Sequence, residues 1–144
     1  MINWLLKKEE LFNYNSIKSF KNFFENTKKH KKIFKELLLN LKDMNKSVIG
    51  YGASTKGNTL LQYYGIDSKM INFAVERSPE KWGKYTIGTG IKIISEKAAR
   101  DLNPKYFFVM PYAFIKEFII REKKWLKKGG KFILPYPNFK VLNK

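Results

Sequence analysis

The sequence contains no cysteine and only one histidine, His30, among its 144 residues. Without cysteine there can be no disulfide and no thiolate metal site, so a reducing, cytoplasmic location is expected. A single histidine argues against a zinc centre or a Ser-His-Asp triad, and we predict no metal site. Apolar runs are also short, and none approaches the roughly 20 residues of a membrane-spanning helix. Residues 1–10 lack the pattern of a secretory signal, and no membrane partner is expected.

Acidic residues are scarce, with 12 against 29 basic ones and a formal net charge of +17. This excess indicates either an anionic partner or a compositional bias. The chain is rich in Lys, Asn, Ile, Phe and Tyr, which is typical of an AT-rich genome, and has few arginines: Arg77 and Arg121, with Arg100 in a helix pattern. Base-reading proteins usually rely on arginine, and no helix-turn-helix or RNA-binding signature occurs. We favour the compositional explanation and expect no specific nucleic-acid partner.

What the chain does contain is short apolar strands alternating with helices. Apolar positions recur at spacings of three and four from Ile17 to Leu41, which predicts a long helix. Strands are predicted at 47–49, 71–75, 91–94, 106–110 and 131–134, and further helices at 59–64, 95–102 and 115–126. This alternation predicts an α/β fold: a small Rossmann-like domain with a parallel sheet of about five strands and a long N-terminal helix. Residues 1–45 would form a helical lead-in and residues 46–144 the binding domain.

The chemistry is concentrated in a glycine-rich turn between the first strand and the following helix. Its pattern is Gly50-x-Gly52-x₄-Gly57. We expect Gly50 to make the sharp turn, Gly52 to let a ligand approach the backbone, and the helix N-terminus to attract a phosphate. Hydroxyl groups, the Lys56 charge and an Asn58 that caps the helix or bonds the ligand would assist. The predicted substrate-binding turn comprises Gly50, Tyr51, Gly52, Ala53, Ser54, Thr55, Lys56, Gly57 and Asn58.

Other strand ends should open on the same crevice, because parallel strands share one carboxyl edge. Glu76 is a candidate for a ribose hydroxyl, Arg77 for a phosphate, and Tyr112 for stacking on a base or sugar. Trp82 would either stack in the same way or pack within its loop. A tight turn without any ligand is the alternative to the whole site. The predicted residues outside the turn are Glu76, Arg77, Lys81, Pro111 and Tyr112.

Residues 50–61, GYGASTKGNTLL, resemble the signature of the C-terminal domain of sugar C-methyltransferases that use S-adenosylmethionine (SAM). Further matching motifs follow in order at 76–83, 88–94, 110–114 and 128–137. One departure is the pair Tyr112-Ala113, where the family usually has Trp and then His or Asn. The resemblance implies that this part of a larger enzyme helps to bind a nucleotide-linked deoxysugar.

In that family a zinc-binding N-terminal module and a central SAM-binding domain carry the metal and the catalytic residues. The resemblance therefore implies that this chain supplies no catalytic residue and binds no cofactor itself, and that SAM sits on a partner domain or subunit. The chain would be part of a methyltransferase but not catalytically complete alone. A stand-alone nucleotide- or dinucleotide-binding regulatory module is the alternative. The wide apolar stripe of the long helix also makes a homodimer a candidate arrangement.

Overall fold

The computed structural model describes residues 2–136 and 139–143. Pro137, the last residue of the predicted 128–137 motif, lies outside these residues. Across the described chain, no helix combines the length and the apolar character that crossing a bilayer demands. The fold is α/β, as predicted.

A six-stranded sheet runs through the molecule in the order β3-β2-β1-β4-β5-β6. The first five strands are mutually parallel, and β6 pairs antiparallel with β5 at the edge. The five predicted strands are confirmed with small shifts of their ends, whereas β6 was not predicted, and its residues are largely exposed. The strands are β1 Val48–Tyr51, β2 Phe73–Val75, β3 Lys92–Ile94, β4 Tyr106–Val109, β5 Lys131–Leu134 and β6 Lys140–Leu142.

Helices cover both faces of the sheet, and the long N-terminal helix is confirmed. The predicted single helix at 115–126 is wrong: it breaks at Glu122, whose side chain turns into the interior. The N-terminal helix at Ile2–Leu11 lies in the segment predicted as a helical lead-in, but it was not predicted as a separate helix. The helices are α1 Ile2–Leu11, α2 Ile17–Asp43, α3 Thr55–Tyr64, α4 Glu96–Asp101, α5 Ile115–Arg121 and α6 Lys123–Lys127, with 3₁₀ turns at Pro79–Lys81 and Tyr112–Phe114.

The core lies in two layers, one on each side of the sheet. On one side the C-terminal half of α2 contributes Phe34, Leu38 and Leu41. On the other side α6 places Trp125 against the sheet. The N-terminal half of α2 projects beyond this packing, because its apolar stripe buries nothing before Phe34.

Candidate functional site

The carboxyl ends of β1 and β4 define the switch point of the sheet, because the chain continues from β1 toward one edge and from β4 toward the other. Open parallel sheets bind ligands in the crevice at this position. Here a cleft of about 240 Å³, called the switch-point cleft below, opens between the two strand ends. It is lined by six residues of the predicted site: Tyr51, Gly52, Ser54, Glu76, Arg77 and Pro111.

The turn itself lies two residues later than expected. Gly50 was predicted to make the sharp turn, but it lies inside β1, where it pairs with Ala74 and Phe108. The turn is made by Gly52, which has φ +85°. A Cβ on Gly52 would lie 2.6 Å from the ring carbons of Pro111. The structure therefore explains Gly52 by backbone conformation and by contact with Pro111, without reference to a ligand.

Most N–H groups of the turn already have partners within the protein. Gly52 and Ala53 both donate to the carbonyl oxygen of Val75, at 3.0 and 2.9 Å. Ser54 caps α3 by accepting from the N–H of Gly57 at 3.1 Å. The cap is therefore Ser54 and not Asn58.

Two N–H groups at the start of α3, those of Thr55 and Lys56, have no hydrogen-bond partner in the described chain. They lie at the positive end of the helix dipole, where an anion is favoured. Gly57 follows them and brings α3 against the end of β4: a Cβ there would lie 2.9 Å from the Met110 Cβ. The amide oxygen of Asn58 is buried and has no partner among the described residues, so a ligand bond from Asn58 stays a prediction.

Glu76, at the end of β2, brings the second loop to the turn. Its Oε1 accepts from the N–H groups of Arg77 and Ser78, at 2.8 and 3.3 Å, and its Oε2 lies 3.3 Å from Lys81 Nζ. The same Nζ lies 3.4 Å from the carbonyl oxygen of Ala53. Glu76 and Lys81 thus fasten this loop to the glycine-rich turn.

Trp82 lies at the end of the same loop and packs on its outer surface. Its indole N–H donates to the carbonyl oxygen of Glu76 at 2.8 Å, and 43% of the residue stays exposed. The described contacts of Trp82 are therefore those of loop packing, one of the two roles considered for it.

Lys56 and Tyr112 line a second depression of about 170 Å³ instead of the switch-point cleft. Pro111 and Phe114 belong to both, so they form a ridge between the two cavities. Beyond the ridge, the Tyr112 ring meets Tyr136 edge-on with 5.2 Å between centroids. The predicted site residues that line a cavity therefore fall on two sides of one ridge. The other predicted residues line neither cavity: Gly50, Ala53, Thr55, Gly57, Asn58 and Lys81.

Behind the cleft lies a buried charge cluster that was not predicted from the sequence. Glu122 has a side chain only 1% exposed, and its Oε1 lies 2.7 Å from the Tyr51 hydroxyl and 2.6 Å from Arg100 Nη2. Burial, followed by the hydrogen bond to Glu122, raises the pKa of Tyr51 well above its usual range. The hydrogen bond to Glu122 raises the pKa of Arg100. One signal was available: Phe118 and Trp125 flank Glu122 at helical spacing, which places a charge on the apolar stripe.

The cluster continues outward to the mouth of the cleft. Arg121 Nη1 lies 2.7 Å from Glu96 Oε1, and its other terminal nitrogen contacts Glu117. Burial lowers the pKa of Arg121, but hydrogen bonds to Tyr51 and Glu96 outweigh it and raise the pKa overall. The guanidinium of Arg121 is therefore a fixed positive group in the cleft wall.

A larger depression of about 350 Å³ lies at the opposite ends of the strands, beside Lys42 and Phe73. It opens at the amino ends of the strands, away from the glycine-rich turn. Ligands of open parallel sheets bind at the carboxyl ends, so the switch-point cleft is the better candidate despite its smaller volume.

The structure is an α/β domain with a crevice at the carboxyl ends of its strands. Residues 1–137 match the family described as the C-methyltransferase C-terminal domain, and the chain belongs to this family. It is also 35% identical over 109 residues to the C-methyltransferase NovU of Streptomyces niveus. That alignment covers 76% of this chain and 26% of the relative, so the chain spans about a quarter of its relative's length.

Proposed function

We propose that this chain is the substrate-binding C-terminal domain of a SAM-dependent sugar C-methyltransferase, and that it holds a nucleotide-linked sugar across the Pro111–Phe114 ridge. The observation that carries the proposal is the crevice at the switch point, lined by six predicted site residues. Family membership supplies the reaction class, and the resemblance of the motifs supplies the ligand class.

The proposed site offers separate partners to the parts of such a ligand. The N–H groups of Thr55 and Lys56, which have no partner among the described residues, suit a phosphate of the diphosphate, together with the Lys56 ammonium. The carboxylate of Glu76 keeps lone pairs that suit a sugar hydroxyl. The exposed ring of Tyr112 suits stacking on a base or sugar.

Methyl transfer in this proposal uses a SAM-binding domain or subunit outside these 144 residues. The chain itself contributes binding and orientation, which bring the acceptor carbon to the methyl donor. No catalytic role is assigned to a residue of this chain.

Calorimetric titration with a dTDP-sugar tests the proposal, with Lys56→Ala compared with Lys18→Ala. The two lysines are matched: each is exposed and is the second residue of a helix capped by a serine. We expect saturable binding that weakens roughly three- to tenfold in Lys56→Ala, the effect of one charged hydrogen bond at an exposed site, and is unchanged in Lys18→Ala.

Binding of SAM with none of the dTDP-sugar would contradict the proposal, and so would equal affinities of the two lysine variants. Binding of a dinucleotide in preference to the sugar nucleotide would favour the regulatory-module alternative. Gly52→Val is not a suitable probe, because its side chain would collide with Pro111 whether or not a ligand binds there.

A further inference from the structure

The three arginines of this chain all converge on one cluster beside the switch-point cleft. Only three of the 29 basic residues are arginines, and they come from the loop after β2, from α4 and from α5. Arginine presents a planar fork to carboxylates and phosphates, whereas lysine is a point charge. In a chain where lysine supplies nearly all the positive charge, this gathering indicates that fork geometry is needed here.

The three guanidinium groups differ in how fully they are occupied. The guanidinium of Arg100 is engaged by carboxylates within the protein: it binds both oxygens of Glu122 and also Glu96. Arg121 is shared between Glu96 and Glu117. Arg77 has only Glu117 as a described ion-pair partner, at 3.5 Å, and 68% of its side chain is exposed.

We infer that Arg77 and Arg121 form an anion-binding pair at the mouth of the switch-point cleft, and that Glu117 fills their site in the free protein as an internal competitor. The anion is a phosphate or a group with similar oxygens. The inference rests on the proposed function in taking this group to be a phosphate of the sugar nucleotide.

The contacts of Arg77, Arg121 and Glu117 favour the displacement of Glu117 by an anion. Its carboxylate is 51% exposed and sits on the surface of α5, so turning it into water costs little. Arg121 would not follow it, because Glu96 holds the other side of the guanidinium at 2.7 Å. Each phosphoryl group of a nucleotide-linked sugar has two non-bridging oxygens and one charge. The diphosphate therefore offers four oxygens and two charges, and it bridges both forks better than one carboxylate does.

The test uses titrations of inorganic pyrophosphate and of a dTDP-sugar into Glu117→Gln, with Glu36→Gln as the matched control. Glu36 is also an exposed helical glutamate with a basic partner four residues away. At physiological salt, charges beyond about 8 Å are screened, so removal of the remote charge should not affect binding. We expect Glu117→Gln to bind both probes about threefold more tightly than Glu36→Gln does, the size of one exposed ion pair.

Arg77→Lys separates fork geometry from charge. It keeps the positive charge but cannot present two parallel donors, so we expect it to bind pyrophosphate several-fold more weakly than the unchanged chain. Equal affinity in Arg77→Lys, or equal affinities in Glu117→Gln and Glu36→Gln, would overturn the inference.

These outcomes are distinguishable from failure of the proposed function. If the dTDP-sugar binds and depends on Lys56 while Glu117→Gln has no effect, the anion pair is wrong and the proposed function stands. If the dTDP-sugar does not bind but pyrophosphate binds more tightly to Glu117→Gln, the anion pair stands and the proposed function is wrong.

Discussion

Replacing Glu122 by leucine should destabilise the protein strongly, because it removes the centre of a buried charge cluster. The variant loses the hydrogen bond from Tyr51 and the bidentate pairing with Arg100. Removing one partner of a buried ion pair typically costs 3–5 kcal/mol. Arg100 is 39% exposed and keeps Glu96, so we place the loss at the lower end, about 3 kcal/mol. For a chain of this length that lowers the melting temperature by about 10 °C.

The assay is urea denaturation of Glu122→Leu, of Arg100→Met and of the double variant. The double variant should be more stable than Glu122→Leu alone, because it no longer contains an Arg100 guanidinium that has lost its bidentate contact with Glu122. Glu36→Leu, on the exposed face of α2, is the control and should change the free energy of unfolding by less than about 0.5 kcal/mol. If the two cluster substitutions simply add, or if Glu122→Leu behaves like the control, the pairing described here does not stabilise the fold.

Two further perturbations test the turn and the buried phenol. Gly52→Ala should lower the free energy of unfolding, measured by thermal unfolding, by about 1–3 kcal/mol more than Gly83→Ala does. Both glycines have positive φ, but only at Gly52 would the new carbon meet Pro111. Equal losses of stability would refute the steric explanation. Burial raises the pKa of Tyr51, so the contribution of this residue to stability is complete below about pH 10 and is lost as the pH rises further. The free energy of unfolding, measured in urea from pH 9 to 11, should therefore fall less steeply in Tyr51→Phe than in the unchanged chain. Parallel curves would contradict the raised pKa of Tyr51.

The parts of the fold that could be predicted are those with local, periodic signals. The spacing of apolar residues placed α2, and short apolar runs, three of them ended by glycine or proline, placed the five parallel strands. The short edge strand β6 has no such signal. The break between α5 and α6 was missed because it depends on where the Glu122 side chain finds partners, and these lie in β1 and α4.

The candidate site was predicted in its composition more than in its geometry. The glycine pattern and the strand ends indicated Gly52, Glu76 and Arg77, which do line one cleft. The sequence could not indicate that the turn starts at Gly52 instead of Gly50, since both fit the spacing and only the packing of Pro111 separates them. The proximity of Arg121 and Arg77 could not be predicted from the sequence either, because residues 44 positions apart come together only through the order of the strands in the sheet.

In the proposed function, a sugar nucleotide binds around the ridge at the carboxyl ends of β1 and β4. The most direct test follows the backbone amide signals of the ¹⁵N-labelled chain by NMR while a dTDP-sugar is added. We expect the largest shift changes at Thr55, Lys56 and Arg77, with little change near Lys42 and Phe73 at the amino ends of the strands. Shift changes concentrated near Lys42 and Phe73, or no shift changes at saturating ligand, would contradict binding at the ridge.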